Sequence, residues 1–507
     1  MENPKTNITF LSSCAIVILI TALGATLPAK LSGLSGDTLM IVSNHFGWLY
    51  LISVFTFVCF LFYLALSRYG KIKLGSEDSG PAYGTCTWLS MLLAAGFGVG
   101  LVFYGMAEPM FHYVNPPFDD AEGKTTQAAR LAIQYSFFNW GVHQWSASAL
   151  VGLIIAYFQY NRGRKGLISS VFTDLETKST IKTNRFTMLD IIAIVVTVIG
   201  VATSLGLGVL QINSGIADII NTPDNASRHL IILAAIFIAY MLSTYTGLDK
   251  GIKYLSLACM TICLAVMAYI LITGPTTFIL NSIALGIGDY AQNFIGMSLR
   301  TSPNTSNAWA SSWTIFYWAW IIAWSPFVGT FIARISKGRT IREFVFGVLL
   351  VPPLIACLWI GVLGSSALYI DSNSNGELSE LVQSNITSAI FQMFETMPNS
   401  LILSSITMLL IFFFLVTSLD SATYIVAQMS DDGSQSPSVY KRTVWGVLIS
   451  VSCWVLLTRG GLTGLQSASI VAALPLTIII FFMAFSFMRK LHKDPNVSED
   501  DRKLRKI

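Results

Sequence analysis

Residues 313–327 read WTIFYWAWIIAWSPF: four tryptophans in fifteen positions and no charged residue, in a chain of 507 that uses tryptophan only twelve times. A helix turns about 100° per residue. On that period Trp309, Trp313, Phe316, Tyr317, Trp320, Trp324 and Phe327 fall within an arc of about 100°. Trp318 alone points the opposite way. The segment reads as an apolar helix with one aromatic wall.

The surrounding composition names the solvent of that helix. The chain is 53% hydrophobic and 11% charged, less than half the charged share of a typical soluble domain. Mean hydropathy is +0.64. Too few charges are present to cover the several cores a soluble chain of this length would have. Runs long enough to cross about 30 Å of hydrocarbon recur near 8–28, 45–67, 87–107, 131–158, 188–209, 229–247, 254–274, 309–333, 343–365, 401–424, 442–458 and 466–488. With twelve spans and both termini cytoplasmic, 25 of the 31 basic residues fall on the cytoplasmic side and 6 outside, the bias of the positive-inside rule. The expected fold is an all-α membrane protein of twelve transmembrane helices. The net charge of +4 then reflects topology and not a nucleic-acid surface. The first run lacks a strongly basic start and a second follows closely, so it is not expected to be a cleaved signal. The seven cysteines lie mostly within spans without metal-like spacing. No HExxH, P-loop or GxSxG motif points to an enzyme.

Two polar interruptions stand out among the apolar runs. In AAGFGVGLVFYGMAEP (94–109), Gly96, Gly98 and Gly100 alternate. Glycine at this density loosens a membrane helix and frees backbone carbonyls, which is tolerated where they line a cavity or bind an ion. Close helix packing through small residues is the competing reading. In FFFLVTSLDSATYIV (412–426), Thr417, Ser418, Asp420, Ser421 and Thr423 share one span. Hydroxyls and freed carbonyls are hard oxygen donors that suit a small hard cation.

The run WTIFYWAWIIAWSPFVGTFIARISKGRTIREF (313–344) closely resembles the most characteristic segment of the betaine/choline/carnitine transporter family. GFGVGLVFYGMAEP, ATSLGLGVLQI, GLDKGIKYLS and VTSLDSATYI are similar to other family segments, in the right order. The resemblance implies a LeuT-type fold with two extra N-terminal helices, in which spans 3–7 and 8–12 form inverted five-helix repeats around a midplane substrate. The corresponding divisions are an N-terminal tail with two helices over 1–86, a first repeat over 87–280, an amphipathic connection over 281–306, a second repeat over 307–488 and a short cytoplasmic tail over 489–507. Family members carry quaternary ammonium or sulfonium zwitterions such as glycine betaine, choline or carnitine, in most cases driven inward by sodium. A trimethylammonium group has no N–H to donate, and aromatic faces attract it by roughly 0.5–2 kcal/mol per ring. A neutral cage also avoids burying a fixed charge while the site is empty.

By position, the resemblance assigns Trp140 and Trp145 of NWGVHQWSAS to one side of a substrate box, and Phe316, Trp320 and Trp324 to the other, beside Gly96 and Gly98. Sodium would be held by carbonyls of Ala94 and Phe97 with Phe414, Thr417 and Ser418. Thr197 and Phe327 would belong to a second ion site, where Val201 offers no hydroxyl. Two positions depart from the family pattern: Ser148 where a tyrosine is common, and Ile321 where a second consecutive tryptophan is common. Either drift compensated by neighbours such as Tyr317, or a substrate other than glycine betaine, accounts for them. Lys253 stands where sodium-independent exchangers carry an ion-substituting arginine, but a cytoplasmic helix start favours a basic residue for topology alone. His143 reads as a packed histidine or a proton relay, Glu108 and Asp420 as helix-end or polar-network groups, and RISKGRTIRE (334–343) as a cytoplasmic loop near anionic lipid.

The expected function is sodium-coupled uptake of a betaine-like zwitterion or quaternary ammonium compound across a bacterial inner membrane. No cofactor is expected beyond the coupling ion, and no nucleic acid. The partners are substrate, bilayer and, as is common in the family, two further copies in a homotrimer. The alternatives are a sodium-independent exchanger or proton symporter of the same family, or a channel or osmolyte-sensing transceptor. A dry tryptophan box disfavours a channel, and nineteen residues after 488 leave no room for a sizeable sensing domain.

Overall fold

The computed structural model describes residues 4–494 except 27, 77, 97, 174–179, 223–224, 247–248, 302–307 and 375, with side chains described outside 4–7, 28–40, 94–96, 180–185, 246, 249–253 and 308. Among the described residues every regular element is a helix, apart from an isolated antiparallel bridge between Lys73 and Thr340. In lipid this follows from the need to satisfy each backbone polar group within its own segment.

In chain order the helices are α1 (Pro4–Thr26), α2 (Pro28–Leu66), α3 (Thr85–Gly96), α4 (Val99–Val114), α5 (Thr126–Trp140), α6 (Val142–Tyr160), α7 (Thr180–Ile220), α8 (Ala226–Thr246) and α9 (Asp249–Thr273). There follow α10 (Thr276–Gln292), α11 (Phe294–Ser298), α12 (Ala308–Ala310), α13 (Phe316–Ile335), α14 (Ile341–Asn373), α15 (Glu377–Ser384), α16 (Ala389–Glu395), α17 (Ser400–Ser430) and α18 (Val439–Leu491). A π-helical turn, Ser311–Ile315, leads into α13.

Ten segments among the described residues are long and apolar enough to cross a membrane. Two of the twelve expected runs account for the difference. The third is split into α3 and α4, of 12 and 16 residues, neither long enough alone. The last two are continuous in the 53-residue α18. At about 1.5 Å per residue that helix would run ~80 Å if straight, far beyond the bilayer core. It is broken at Gly461, whose φ of 54° and ψ of −148° are non-helical and suit a residue without Cβ. Gly461 falls between the expected runs 442–458 and 466–488.

Burial separates inner from outer helices. The α5–α6 segment is 94% buried over its most apolar window and α13 89%, against 28% for α8 and 33% for the window from Tyr254 in α9. The outer pair presents Ile231, Ile238 and Leu242, then Leu257, Leu264 and Ile272, to the surroundings, the inverse of a soluble surface. Helix α13 packs against α6, α18 and α7. It crosses α6 closest at Gly152 and Gly329: a Cβ on Gly152 would lie 2.9 Å from the Gly329 carbonyl oxygen. Only a residue without a side chain permits that approach.

At the end expected to be cytoplasmic, 72–74 pairs with 338–341 through bonds such as Leu74 N–H to Arg339 O at 2.8 Å and Gly338 N–H to Leu74 O at 2.7 Å. Thr340 and Glu343 form a capping box that starts α14. Two basic residues of the 334–343 loop bond back to the fold, Arg339 buried and Arg342 exposed. Arg339 is buried with its guanidinium 4.0 Å from the Trp88 ring centre, and Arg342 donates to Ala65 O at 2.9 Å. At the opposite end, Arg130 grips Asp289 with two bonds of 2.6 Å and ties α5 to α10. Helix α10 begins at Thr276, ahead of the connection expected from 281.

Candidate functional site

The glycine-rich third run is a broken helix. Helix α3 ends at Gly96, Phe97 lies outside the described residues, and Gly98 is extended at φ −104°, ψ −173° before α4 begins. Gly98 offers no side-chain cap; Leu101 N–H reaches back to Gly98 O at 3.2 Å, and the positive end of α4 points at the break. The wall of α13 stands against this turn. A Cβ on Gly100 would lie 2.3 Å from the Trp320 ring and 3.1 Å from that of Trp140. Gly100 therefore has to be glycine for two indoles to meet the helix there.

The aromatic wall is a continuous column. Trp313 packs on Tyr104 at 5.9 Å and on His112 at 4.6 Å. Phe316 stacks on Trp320 at 5.5 Å, Trp320 meets Trp140 edge-on at 6.4 Å, and Trp324 meets Phe327 at 5.5 Å. Trp320 is further held by a 3.1 Å bond from its Nε1 to Ser204 Oγ on α7. Trp318 points away, flat against His143 at 5.5 Å and 7°, with Phe138 alongside at 5.1 Å. His143 is packed and bonded there, to Tyr290 at 2.9 Å and Ser298 at 2.7 Å. It fastens α6 to α10 and α11.

Two small cavities flank the first turn of α4, and they divide the expected site residues. One, of about 30 Å³, is lined by Leu101, Trp140, Gln144, Trp145, Ser148 and Ile321. The other, of about 10 Å³, lies among Gly98, Val201, Ser204, Trp324, Phe327 and Ser418. Each has room for about one water molecule. Trp140 and Trp145 thus share their cavity with both positions that depart from the family pattern. Trp324 belongs to the other cavity, and Phe316 and Trp320 stand in the column between.

Unpartnered polar atoms mark both places. Among the described residues Gln144 Oε1 and Ser148 Oγ in the first cavity, and Ser418 Oγ in the second, are buried without a hydrogen-bond partner. So is Thr197 Oγ1, one turn before Val201 on α7. A buried polar group left unpaired costs roughly 1–3 kcal/mol, which a ligand can recover. Thr417 instead donates to Phe413 O at 3.0 Å and Phe414 O at 3.1 Å, leaving its lone pairs free. Thr417 Oγ1 and the Phe414 carbonyl lie together on α17, and Ser418 faces the helix break in the second cavity; hard oxygens are the donor type that suits a sodium ion. Ala94 and Gly96 lie in the last turn of α3, with side chains outside the described residues, as is that of Lys253 near the start of α9.

Glu108 carries more than the sequence suggests. It is fully buried on α4, and its carboxylate accepts from Trp140 Nε1 at 2.7 Å, Tyr317 OH at 2.7 Å and Asn139 Nδ2 at 2.9 Å, with His112 Nε2 at 3.2 Å. One carboxyl group thereby orients a box tryptophan and joins α4, α5 and α13. Tyr317 is committed to this network. Asp420 has a parallel role on α17, accepting from Ser243 and Thr244 of α8 at 2.6 Å each. Glu108 could be found from its cost in a membrane, but its partners come from distant runs. Gln144 was legible in principle, since it lies one turn before Ser148 on the same helix face.

The chain matches the model of the betaine/carnitine/choline family of transporters over residues 8–496. Its relatives include an ectoine/hydroxyectoine transporter of Virgibacillus pantothenticus, 46% identical over 98% of this chain and 98% of the relative. The glycine betaine transporter OpuD of Bacillus subtilis is 41% identical over 97% of this chain and 96% of its own length. The betaine/ectoine transporter LcoP of Corynebacterium glutamicum is 35% identical over 95% of this chain and 77% of its own. A full-length family match, the apolar helices and a broken helix facing an aromatic column agree: the chain is a multi-pass membrane transporter of the betaine/carnitine/choline family, and not an enzyme.

Proposed function

We propose that the protein imports small zwitterionic solutes of the betaine and ectoine type together with sodium, by alternating access, across a bacterial inner membrane. The observation that carries this reading is the position of the first turn of α4. It lies between a cavity walled by Trp140 and Trp145 and a second one reached by Ser418. Substrate in the first and sodium in the second would be coupled through that single turn. The positive end of α4 suits the substrate carboxylate, and the indoles suit its cation. Sodium bound by Phe414, Thr417 and Ser418, with carbonyls of Ala94 and Phe97, would tie α17 to the helix break. Thr197 and Phe327 would serve a second ion only without help from Val201, so one sodium per cycle is the simpler reading.

Twelve spans with cytoplasmic termini follow if α3 with α4 form one span and α18 forms two. Spans 3–7 and 8–12 would then be LeuT-type inverted repeats, opening with the broken α3–α4 pair and with α13, itself preceded by a π-turn and containing Pro326. The cavities are smaller than a solute, so entry requires the helices that line them to move apart. Counterflow in proteoliposomes, with a panel of zwitterions and with or without sodium, tests the proposal. Sodium-stimulated exchange of a betaine-type zwitterion is expected. Uptake indifferent to sodium would overturn the symport.

A further inference from the structure

Resting on that substrate assignment, we infer that the Trp140–Trp145 cavity selects a zwitterion whose cation carries N–H donors, with Gln144 Oε1 and Ser148 Oγ accepting from it. The class is a cyclic amidinium carboxylate rather than a trimethylammonium one.

The argument begins with the walls. Of the side chains lining the cavity only Trp140 and Trp145 are aromatic; Ile321 and Leu101 are aliphatic, and Gln144 and Ser148 are polar. Trp140 is fixed by its bond to Glu108. A spherical trimethylammonium group gains from rings on several sides, and here Leu101 and Ile321 stand in place of further rings. Tyr317 cannot supply another wall, because its hydroxyl is bonded to Glu108 and its ring packs edge-on against Trp140 at 5.1 Å.

The polar atoms supply what the rings do not. Ser148 is completely buried and Gln144 nearly so. Both lie on α6 one turn apart, both line the cavity, and Gln144 Oε1 and Ser148 Oγ lack partners among the described residues. A helical serine commonly satisfies itself on the carbonyl one turn back; Ser148 does not. A quaternary ammonium ion cannot donate to either oxygen, so binding it would leave both acceptors dry and unpaired. An amidinium is planar, delocalised and bears two N–H groups. It can present its face to an indole and its edge to the two oxygens. Sites built to bond N–H or O–H groups reject ligands that lack them more strongly than apolar pockets reject a methyl group.

Equilibrium binding to the purified full-length protein, read by tryptophan fluorescence with ectoine and with glycine betaine in sodium, tests the inference independently of transport. The wild type is expected to bind ectoine at least about tenfold more tightly. Ser148→Ala and Gln144→Leu should each reduce the ectoine-to-glycine-betaine affinity ratio by about tenfold, the weight of one lost bond. Equal or tighter binding of glycine betaine by the wild type would overturn the inference, whether or not the variants fold. So would an unchanged ratio in both folded variants. Ectoine-selective binding without sodium-driven uptake would support this inference while defeating the symport, whereas binding of neither zwitterion would defeat both.

Discussion

The two cavities beside α4 share α4 and α13 and differ in their other walls and in chemistry. The one toward α6 has two indoles and two unpartnered acceptors. The one toward α17 has one indole, one phenyl ring and the Ser418 hydroxyl beside a helix break. Adjacent residues of α13 serve different places: Ile321 reaches the first cavity, while Trp320 stands in the column with its ring against Gly100. A helix step of about 100° is enough to turn a residue from the cavity to the column. The first turn of α4 borders both cavities, so changes there should disturb both proposed functions, and changes in either cavity only one directly.

The largest effect is expected at that shared turn. Gly100→Leu would drive a side chain into the Trp320 and Trp140 rings and should reduce sodium-dependent uptake by more than about a hundredfold, as overpacking forces the rings from their places. Uptake within a few-fold of wild type, in protein that remains monodisperse, would show that the turn does not join the two cavities. Next comes Trp140→Ala, which removes a cavity wall and a Glu108 donor together. Substrate affinity should fall by about one to three orders of magnitude, from a few kcal/mol of lost cation and packing contact. An equilibrium binding measurement within threefold of wild type would remove this cavity from the substrate path.

A smaller change is expected on the ion side. Ser418→Ala deletes an unpartnered oxygen facing the break and should raise the sodium concentration for half-maximal uptake about tenfold. Saturating sodium should restore most of the rate, and the order of substrate preference should not change. Reciprocal linkage requires that substrate still tighten sodium binding. With Val201 unable to donate an oxygen, the Hill coefficient for sodium should lie at about one. A variant with altered substrate ranking and normal sodium dependence would reverse the assignment of the two cavities.

Much of this arrangement could be read along the chain because it rests on local pattern. The helix break follows from three alternating glycines, and the aromatic column from a repeat within one helix. The segment count was less legible: α18 hides a break at one glycine, and α3 and α4 are each too short to register. The membership of the cavities was legible only in part: Trp140, Trp145, Ser148 and Ile321 do share one, while Trp324 falls in the other and Phe316 and Trp320 in neither. Whether Trp320 or Ile321 faces Trp145 depends on how α13 sits against α6, which is set by the Gly152–Gly329 crossing between runs far apart in sequence. Glu108 shows the same limit. Its expense in a membrane is evident from the sequence, but the donors that offset it arrive from α5 and α13.

The smallest effect on transport is expected at Trp318, and its smallness is the sharpest test of the register. Trp318 is as deeply buried as its neighbours, so burial alone would place it with them. Its ring, however, lies on His143 and Phe138, on the side of α13 away from the column. Its Nε1 has no partner among the described residues. Trp318→Phe keeps an aromatic face on the imidazole and removes an unsatisfied donor. It also leaves a void, at a cost of about 1–3 kcal/mol in stability. The expected result is a lower melting temperature with substrate affinity and sodium dependence within about twofold of wild type. Trp320→Phe should do the opposite, because it loses the bond to Ser204 and narrows the wall against Gly100. Its stability should change little more than that of Trp318→Phe, while its affinity falls several-fold. If Trp318→Phe instead proved the variant that weakens binding, and Trp320→Phe were silent, the cavity would have to lie on the His143 side of α13. The division between the two cavities would then fail at its first step.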